Sequence, residues 1–454
     1  MRRLLILGLM LAVNDVHAQA PISAPSVNGI VNAAALPGSD IGAKISRYLA
    51  AQASSATVFI PPGIYSFSTT ISIPVVAQQT FMVNCLPNSV ILKYTGSGDA
   101  VYSVIGTSTQ NVMSGVTGCT IDGSASRGYA NGVHIKGFYG AHFDDVEVRN
   151  FMNGDGWLFQ AGLVTCINCR SVYNKNGVHL LGASIDRLGT FSANGVHWIG
   201  GRIANNTQWG WYDDYANFTT AGPTYNNSIE DSDFAGNGNC SADSGNIYLQ
   251  ESRSTRISGN FFESQVGAQN IRLGVGSSYL TDSTQIDNNH FETPASVCGS
   301  TSVTASVNAA FADYTGIRDN EELGTVGTFT YVSKNSRVWL ENNHIPAGTR
   351  MVEGELENAS IAGPGGTFST YALATGHLNQ TATKNFAGTC SMFNGTSCRF
   401  GLDTAFATTP VCIAVPQGTT AIAGACSVSG TTVTITAAAN NSLVWGAVLI
   451  GNPN

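Results

Sequence analysis

The sequence predicts an all-β chain wound as a right-handed parallel β-helix, on three observations. One short apolar sentence recurs at long, nearly fixed intervals. A second series of short strands interleaves with it at the same spacing. A single helix precedes both, where a solenoid needs a lid.

The first series is clearest in Ile257-Ser-Gly-Asn-Phe-Phe-Glu263, Ile286-Asp-Asn-Asn-His-Phe-Glu292 and Leu340-Glu-Asn-Asn-His-Ile345, with looser copies ending at Val148, Val172, Ile203 and Phe234. The anchors at 148, 172, 203, 234, 262 and 291 are separated by 24, 31, 31, 28 and 29 residues, and the 54 residues from 291 to 345 make two more turns of 27. The second series reads Asn131-Gly-Val-His-Ile135, Asp155-Gly-Trp-Leu-Phe159, Asn176-Gly-Val-His-Leu180, Gly210-Trp-Tyr-Asp213, Asn246-Ile-Tyr-Leu249 and Asn270-Ile-Arg-Leu273. Each unit is a turn residue followed by alternating apolar positions, too short for a helix and right for a strand. Such a repeat cannot bury its own apolar face, so copies must stack. Asn and Gly at the turns fit, because both tolerate left-handed backbone. A β-sandwich would instead carry antiparallel hairpin signals.

Met1-Arg-Arg, the apolar run Leu4 to Val13 and the small residues Ala18-Gln-Ala20 read as a signal peptide over residues 1–20. That run is too short to span a bilayer, and no later run is long enough. The expected location is therefore secreted or periplasmic. A formal charge of −8 with only 11% charged residues argues against a nucleic-acid partner.

Ser39 to Ala53 is the one convincing helix: Ile41, Ile45, Tyr48 and Leu49 share a face behind Ser39 or Asp40 as N-cap. Val58-Phe-Ile-Pro-Pro-Gly-Ile-Tyr65 and Ile71-Ser-Ile-Pro74 follow at once as strands. The solenoid with its cap is expected over 21–360, a Gly/Thr/Ser/Ala-rich linker over 361–384, and a small antiparallel β domain over 385–454. Four of the ten cysteines, Cys390, Cys398, Cys412 and Cys426, fall in that last domain and suggest one or two disulfides in an exported chain. Cys166-Ile-Asn-Cys169 has zinc-like spacing but no second pair, so core thiols or a disulfide are the better readings.

DIGAKISRYLAAQ followed by TVFIPPGIYSFSTTISIP resembles the amino-terminal segment of the pectate-lyase-like superfamily of β-helix proteins, and with the repeats the resemblance spans Asp40 to about Ile361. It implies the fold directly. Through polysaccharide lyases, glycoside hydrolases, uronate epimerases and phage tailspike depolymerases, it also implies action on polysaccharide. Of the polygalacturonase signatures Asn-Thr-Asp, Asp-Asp, Gly-His-Gly and Arg-Ile-Lys, only Asp213-Asp214 has a match, without its flanking pattern.

Stacked strands lie about 4.8 Å apart, which turns repeat position into distance. In the second series Val133, Trp157, Val178, Trp211, Ile247 and Ile271 should point inward. The next position, His134, Leu158, His179, Tyr212, Tyr248 and Arg272, should point out, as should Lys136, Gln160, Leu181, Asp214, Gln250 and Gly274 two places on. One outer stripe thus gathers imidazoles, tyrosines, carboxylates and an arginine over a length suited to an extended polymer. Asp214, Glu251, Asp213, Asp155 and Arg272 are the candidate catalytic residues, with His134, Lys136, His179, Tyr212 and Tyr248 as substrate-binding residues. Hydrolysis would use paired carboxylates such as Asp214 with Glu251 or Asp155. Elimination from a uronate would use a cation and a base, with Arg272, His179 or Tyr212 beside calcium on Asp213, Asp214 or Glu251. Asp213 falls in an inward or turn register, Asp155 in a turn-forming Asn-Gly-Asp-Gly, and the imidazoles of His134 and His179 both follow an inherited Asn-Gly-Val.

The expected function is an exported lyase or glycoside hydrolase acting on an extended, acidic polysaccharide. The alternative is a non-catalytic carbohydrate-binding or adhesion protein of tailspike type, monomer or homotrimer. No cofactor is required by the sequence, and calcium is the one it leaves open.

Overall fold

The computed structural model describes residues 26–451 apart from 28–29, 77, 106–110, 182–183, 187–188, 192, 215–223, 276–280, 334–335, 348, 355–359, 363–383, 392–394, 402–410, 418–423, 430–431 and 442–443. The leader and most of the linker expected from the sequence lie outside the described residues.

Asp40 caps the helix Ile41–Ala50: its Oδ1 accepts from Ala43 N at 2.8 Å, and its Oδ2 accepts from Ser68 N at 2.9 Å and Thr69 N at 3.1 Å. One carboxylate therefore both starts the helix and ties it to the first winding. Ile41, Ile45, Tyr48 and Leu49 are buried against the end of the solenoid, where they cover apolar side chains that a terminal winding would otherwise expose.

Each winding then visits three faces, and every pairing between windings is parallel. The first face runs from Ile71–Val75 and Val101–Ile105, through the opening halves of Val133–Asp144 and Asp155–Ile167, to Asn176–Leu181, Trp209–Asp214, Gly245–Leu249, Gln269–Leu273, Val307–Ala309, Thr328–Val332 and Arg350–Gly354. The closing halves of the two long strands continue without a break into the second face, which ends at Ser360–Ala362. The third face is a separate ten-stranded sheet from Gly63–Phe67 to Glu321–Glu322. The interior is a set of stacked columns. Val133, Trp157, Val178, Trp211, Ile247 and Ile271 form one and are fully buried. Phe234, Phe262 and Phe291 stack in another at 5.0 and 4.7 Å between ring centres. Each side chain buried this way stabilises the fold by roughly 1.5–3 kcal/mol.

At the turns, Asn150, Asn168, Asn205, Asn226, Asn288 and Asn342 adopt positive φ, as the turn composition anticipates. Neighbouring asparagines are buried and build ladders: the side-chain oxygens of Asn289 and Asn320 each accept the backbone N–H of the asparagine one winding back, at 3.0 Å.

Two anchor positions differ from the sequence reading. Val148 pairs with Ser171, not Val172, so Ser171 occupies the interior and Val172 lies on the outer side beside Ala204 and Ala235. Burying a serine is tolerable because its hydroxyl donates to Gly177 O at 2.7 Å and accepts from Asn174 Nδ2 at 3.0 Å. The winding that the 54-residue step skipped is anchored by Glu322, whose Oε1 accepts from Thr293 N at 3.0 Å and Gly324 N at 2.7 Å. An apolar pattern cannot register either residue.

The carboxy-terminal segment forms two three-stranded antiparallel sheets packed on Val433, Ile435, Ala437, Trp445 and Ala447. Cys412–Cys426 joins them, and Cys398 is also disulfide-bonded. In the solenoid, Cys85–Cys119 and Cys240–Cys298 are disulfides, whereas Cys166 and Cys169 are buried free thiols. Among the described residues no helix is long and apolar enough to cross a membrane.

Candidate functional site

Register puts the outer stripe of the first face where alternation demands. Tyr102, His134, Leu158, His179, Tyr212, Tyr248, Arg272 and Asn308 occupy one column in successive windings. Lys136 pairs with Gln160 two places on, and Leu181 with Asp214. These side chains leave the core yet several are covered: His179 is only 8% exposed and Tyr248 3%. The stripe is the floor of a recess.

At the start of each strand the alternation breaks. A Cβ on Gly132, Gly156, Gly177 or Gly210 would collide with Val148, Ser171, Asn206 or Asn237, so these glycines point inward like the residue that follows them. Two consecutive inward positions turn the preceding residue outward. Asp155 thereby joins the stripe instead of forming a turn. It is 1% exposed, and both its oxygens are engaged: Oδ1 accepts from Asn176 Nδ2 at 2.8 Å, and Oδ2 lies 2.7 Å from His179 Nδ1 and 3.4 Å from the Tyr129 hydroxyl.

On the other side of the imidazole, His179 Nε2 lies 3.7 Å from Asp214 Oδ2, too long for a direct hydrogen bond but well within Coulombic reach. Burial alone would strip the proton from His179. The Asp155 carboxylate, with Asp214 behind it, reverses that and raises the imidazole to about 9. Asp155 is likewise held below the usual carboxylate range, its burial outweighed by His179 and Asn176. At neutral pH the unit is an imidazolium braced by the Asp155 carboxylate, with Asp214 on its other side.

The His179 ring lies 4.9 Å from that of Tyr212, which opens the groove proper. The groove encloses about 570 Å³ over Trp209, Tyr212, Tyr248, Gln250, Arg272 and Asn308, within the range of small-ligand sites. Trp209 stacks parallel to Tyr212 and packs against Tyr248 at 4.9 Å. Gln250 Nε2 donates to the Tyr212 hydroxyl at 3.0 Å. Burial raises the pKa of the Tyr212 phenol, and the neighbouring Asp214 charge adds to it, so the phenol stays protonated. Arg272 lies 4.4 Å over the Tyr248 ring and reaches Asp243 at 2.6 Å. Asp243 is 70% exposed, and such an ion pair contributes little and exchanges readily.

The remaining candidates separate. Asp213 points into the solenoid, in the column of Leu180 and Leu249, and is fully buried. Of the two registers the sequence left open for it, inward or turn, strand parity gives the inward one, since Tyr212 and Asp214 take the outer side, and this takes a candidate catalytic residue off the groove surface. Burial pushes its carboxyl up to about 8 against hydrogen bonds from Thr224 and Ser252, so at neutral pH it is largely a neutral acid. Glu251 stands past the strand end at the corner, its pKa raised by burial with Arg253 opposing, and Oε2 has no hydrogen-bond partner among the described residues. Gln250 comes between Glu251 and the Asp214 position, with its N–H on Asp213 O. Asp213 and Asp214 could not share one calcium ion, because adjacent strand residues face opposite sides. Among the described residues no three His, Cys, Asp or Glu are placed to hold a metal.

Sequence reasoning missed Trp209, Asp243, Asn308 and Tyr129. Trp209 was legible in principle, since it precedes a glycine as Asp155 does.

No family model and no curated protein matches the chain. Among solved structures it is similar to ORF18 of Geobacillus virus E2, with a TM-score of 0.55 and 14% identity over 91% of this chain and 77% of that one. It is also similar to DFA-IIIase from Arthrobacter chlorophenolicus A6, solved in complex with GF2, with a TM-score of 0.50 and 11% identity over 74% of this chain and 94% of that one. The chain folds as a right-handed parallel β-helix, as these solved structures do.

Proposed function

We propose that the chain is an exported enzyme that cleaves an extended acidic polysaccharide in the first-face groove by elimination from a uronate. One observation carries this reading: a carboxylate-braced imidazolium lies directly behind a protonated groove tyrosine, with an exchangeable arginine two windings on. Arg272 leaves Asp243 for the substrate carboxylate and draws charge from the uronate, which acidifies its C5 proton. Asp214 accepts that proton, and the C5–H electrons form the C4–C5 double bond. As the C4–O bond breaks, the leaving oxygen takes the phenolic proton of Tyr212, which Gln250 keeps aimed away from itself by donating to the phenol oxygen. His179 stabilises the tyrosinate left behind, and exchange with water restores both groups. Asp155 touches no substrate and positions the imidazole. Trp209 and Tyr248 offer ring faces to the sugars.

Hydrolysis by Asp155 with Asp214 is disfavoured, since Asp155 is buried with both oxygens engaged. Export is supported by the oxidised cysteine pairs.

The test is to incubate the full chain with pectate, alginate, glucuronan and neutral glucan, following new reducing ends and the ultraviolet absorbance of an unsaturated uronate. Both signals together are expected, both lost in Tyr212→Phe. Reducing ends without the absorbance would replace elimination by hydrolysis. Silence with retained binding would leave the non-catalytic adhesion reading.

A further inference from the structure

The Asp155 constellation has a double. Two windings earlier on the same face, Asn131 Nδ2 donates to Asp99 Oδ1 at 2.8 Å and His134 Nδ1 lies 2.9 Å from Asp99 Oδ2. In the later copy Asn176 Nδ2 donates to Asp155 Oδ1 at 2.8 Å and His179 Nδ1 lies 2.7 Å from Asp155 Oδ2. Both histidines close an Asn-Gly-Val-His, each aspartate sits one winding before its asparagine, and the two copies are joined by Asp155 N donating to Asn131 Oδ1 at 2.9 Å. The correspondence extends to the far side of the imidazole. His134 Nε2 meets Gln160 Oε1 at 3.3 Å, and Gln160 occupies the position, one winding on and two residues along, that Asp214 occupies toward His179.

The copies differ in one chemical respect. An amide oxygen stands where the later copy has a carboxylate, so among the described residues the earlier one has no base beyond its half-buried brace, Asp99. It can hold a polar ligand by hydrogen bonds but cannot take a proton from carbon. The identical Asp, Asn and His geometry still fixes an imidazole edge at the floor of the recess, next to Lys136.

We infer that Asp99, Asn131, His134 and Gln160 form a second, non-cleaving saccharide subsite, which holds the same acidic polymer two windings from the reacting sugar. Two windings are about 10 Å, close to the length of a disaccharide, so a bound chain would meet the two imidazoles at alternate sugars. This rests on the groove being a polysaccharide site.

The experiment measures calorimetric affinity of the full chain for size-fractionated oligouronides, from disaccharide to octasaccharide, prepared from pectate and from alginate. For the wild type, affinity should rise with length until both copies are spanned. In His134→Gln, and separately in Asp99→Asn, it should stop rising at the shorter length, with a loss of roughly tenfold on the longest oligomers. Variants that follow the wild type at every length would reduce the earlier copy to an inherited scaffold and end the proposal. Binding by the wild type without that loss removes the subsite alone, whereas no binding by the wild type to any oligomer removes the groove reading and the subsite with it.

Discussion

The first and third faces of this solenoid are made by the same rule and used in opposite ways. Both are parallel ladders with interior apolar columns, and both line up charged residues on their outer side. On the third face Glu147 pairs with Arg149 at 2.9 Å and Arg170 at 3.1 Å, and Arg202 with Asp233 at 3.0 Å. The arginines there are a third to a half exposed, so water and salt share the load. On the first face the ionisable groups are sunk: side-chain exposure is 11% for His179, 1% for Asp155 and 8% for Asp214. A charge ladder on a β-helix therefore says little by itself. What separates a solvated ladder from a candidate site is desolvation, which makes each neighbour decide the protonation of the next.

That contrast can be broken experimentally. The largest effect should come from removing the sunk groups that serve the proposed proton transfers. His179→Ala and Asp214→Asn should each lower turnover by about 10² to 10⁴, read as initial rate on whichever uronate polymer the wild type cleaves, with thermal unfolding confirming that the solenoid persists. Next, Asp155→Ala should destabilise the fold by about 3–5 kcal/mol, because it strands a buried cation; a urea melt that moves by less than 1 kcal/mol would mean that the imidazole finds another partner.

A smaller effect concerns pH. Asp213 is raised from 3.8 to about 8, so the folded chain holds a proton that the unfolded chain has released. Its contribution to stability is full below about pH 4 and is lost as pH rises toward 8. His179, raised from 6.5 to about 9, acts in the same direction: its contribution is full below 6.5 and is lost as pH rises through 9. Asp213→Asn, which keeps the shape without the titration, should flatten the decline in melting temperature between pH 5 and 8, leaving the later decline that belongs to His179. The smallest effect belongs to the third face. Glu147→Ala and Arg202→Ala should each change stability by less than about 1 kcal/mol, with that difference shrinking in high salt.

Much of this was legible from the sequence, and the illegible part has physical causes. Period and alternation fixed the winding and the outer column from His134 to Arg272, because an apolar column has to repeat wherever it is buried. They could not say that Asp155 faces out, since an inward glycine cancels one step of alternation. Nor could they show that Ser171 and Glu322 take interior places, because hydrogen bonds stand in for apolar character there. The catalytic pairing read from spacing, Asp214 with Glu251, treated the strand as continuing straight, whereas the chain turns its corner after Gln250. Distance along a ladder is readable from a repeat. Protonation is not, because it depends on what lies across the winding.

The outward residue two places before the inward apolar position runs Asp99, Asn131, Asp155, Asn176 in consecutive windings, and each imidazole needs an acid on the winding before it and an amide on its own. The order of that column decides where the solenoid tolerates change. An extra winding between Asn131 and Asp155 would leave each acid next to its amide and both imidazoles braced, whereas one placed inside a copy, between Asp99 and Asn131 or between Asp155 and Asn176, would part an acid from its imidazole. The groove of a chain built like this can lengthen between its copies and not within them.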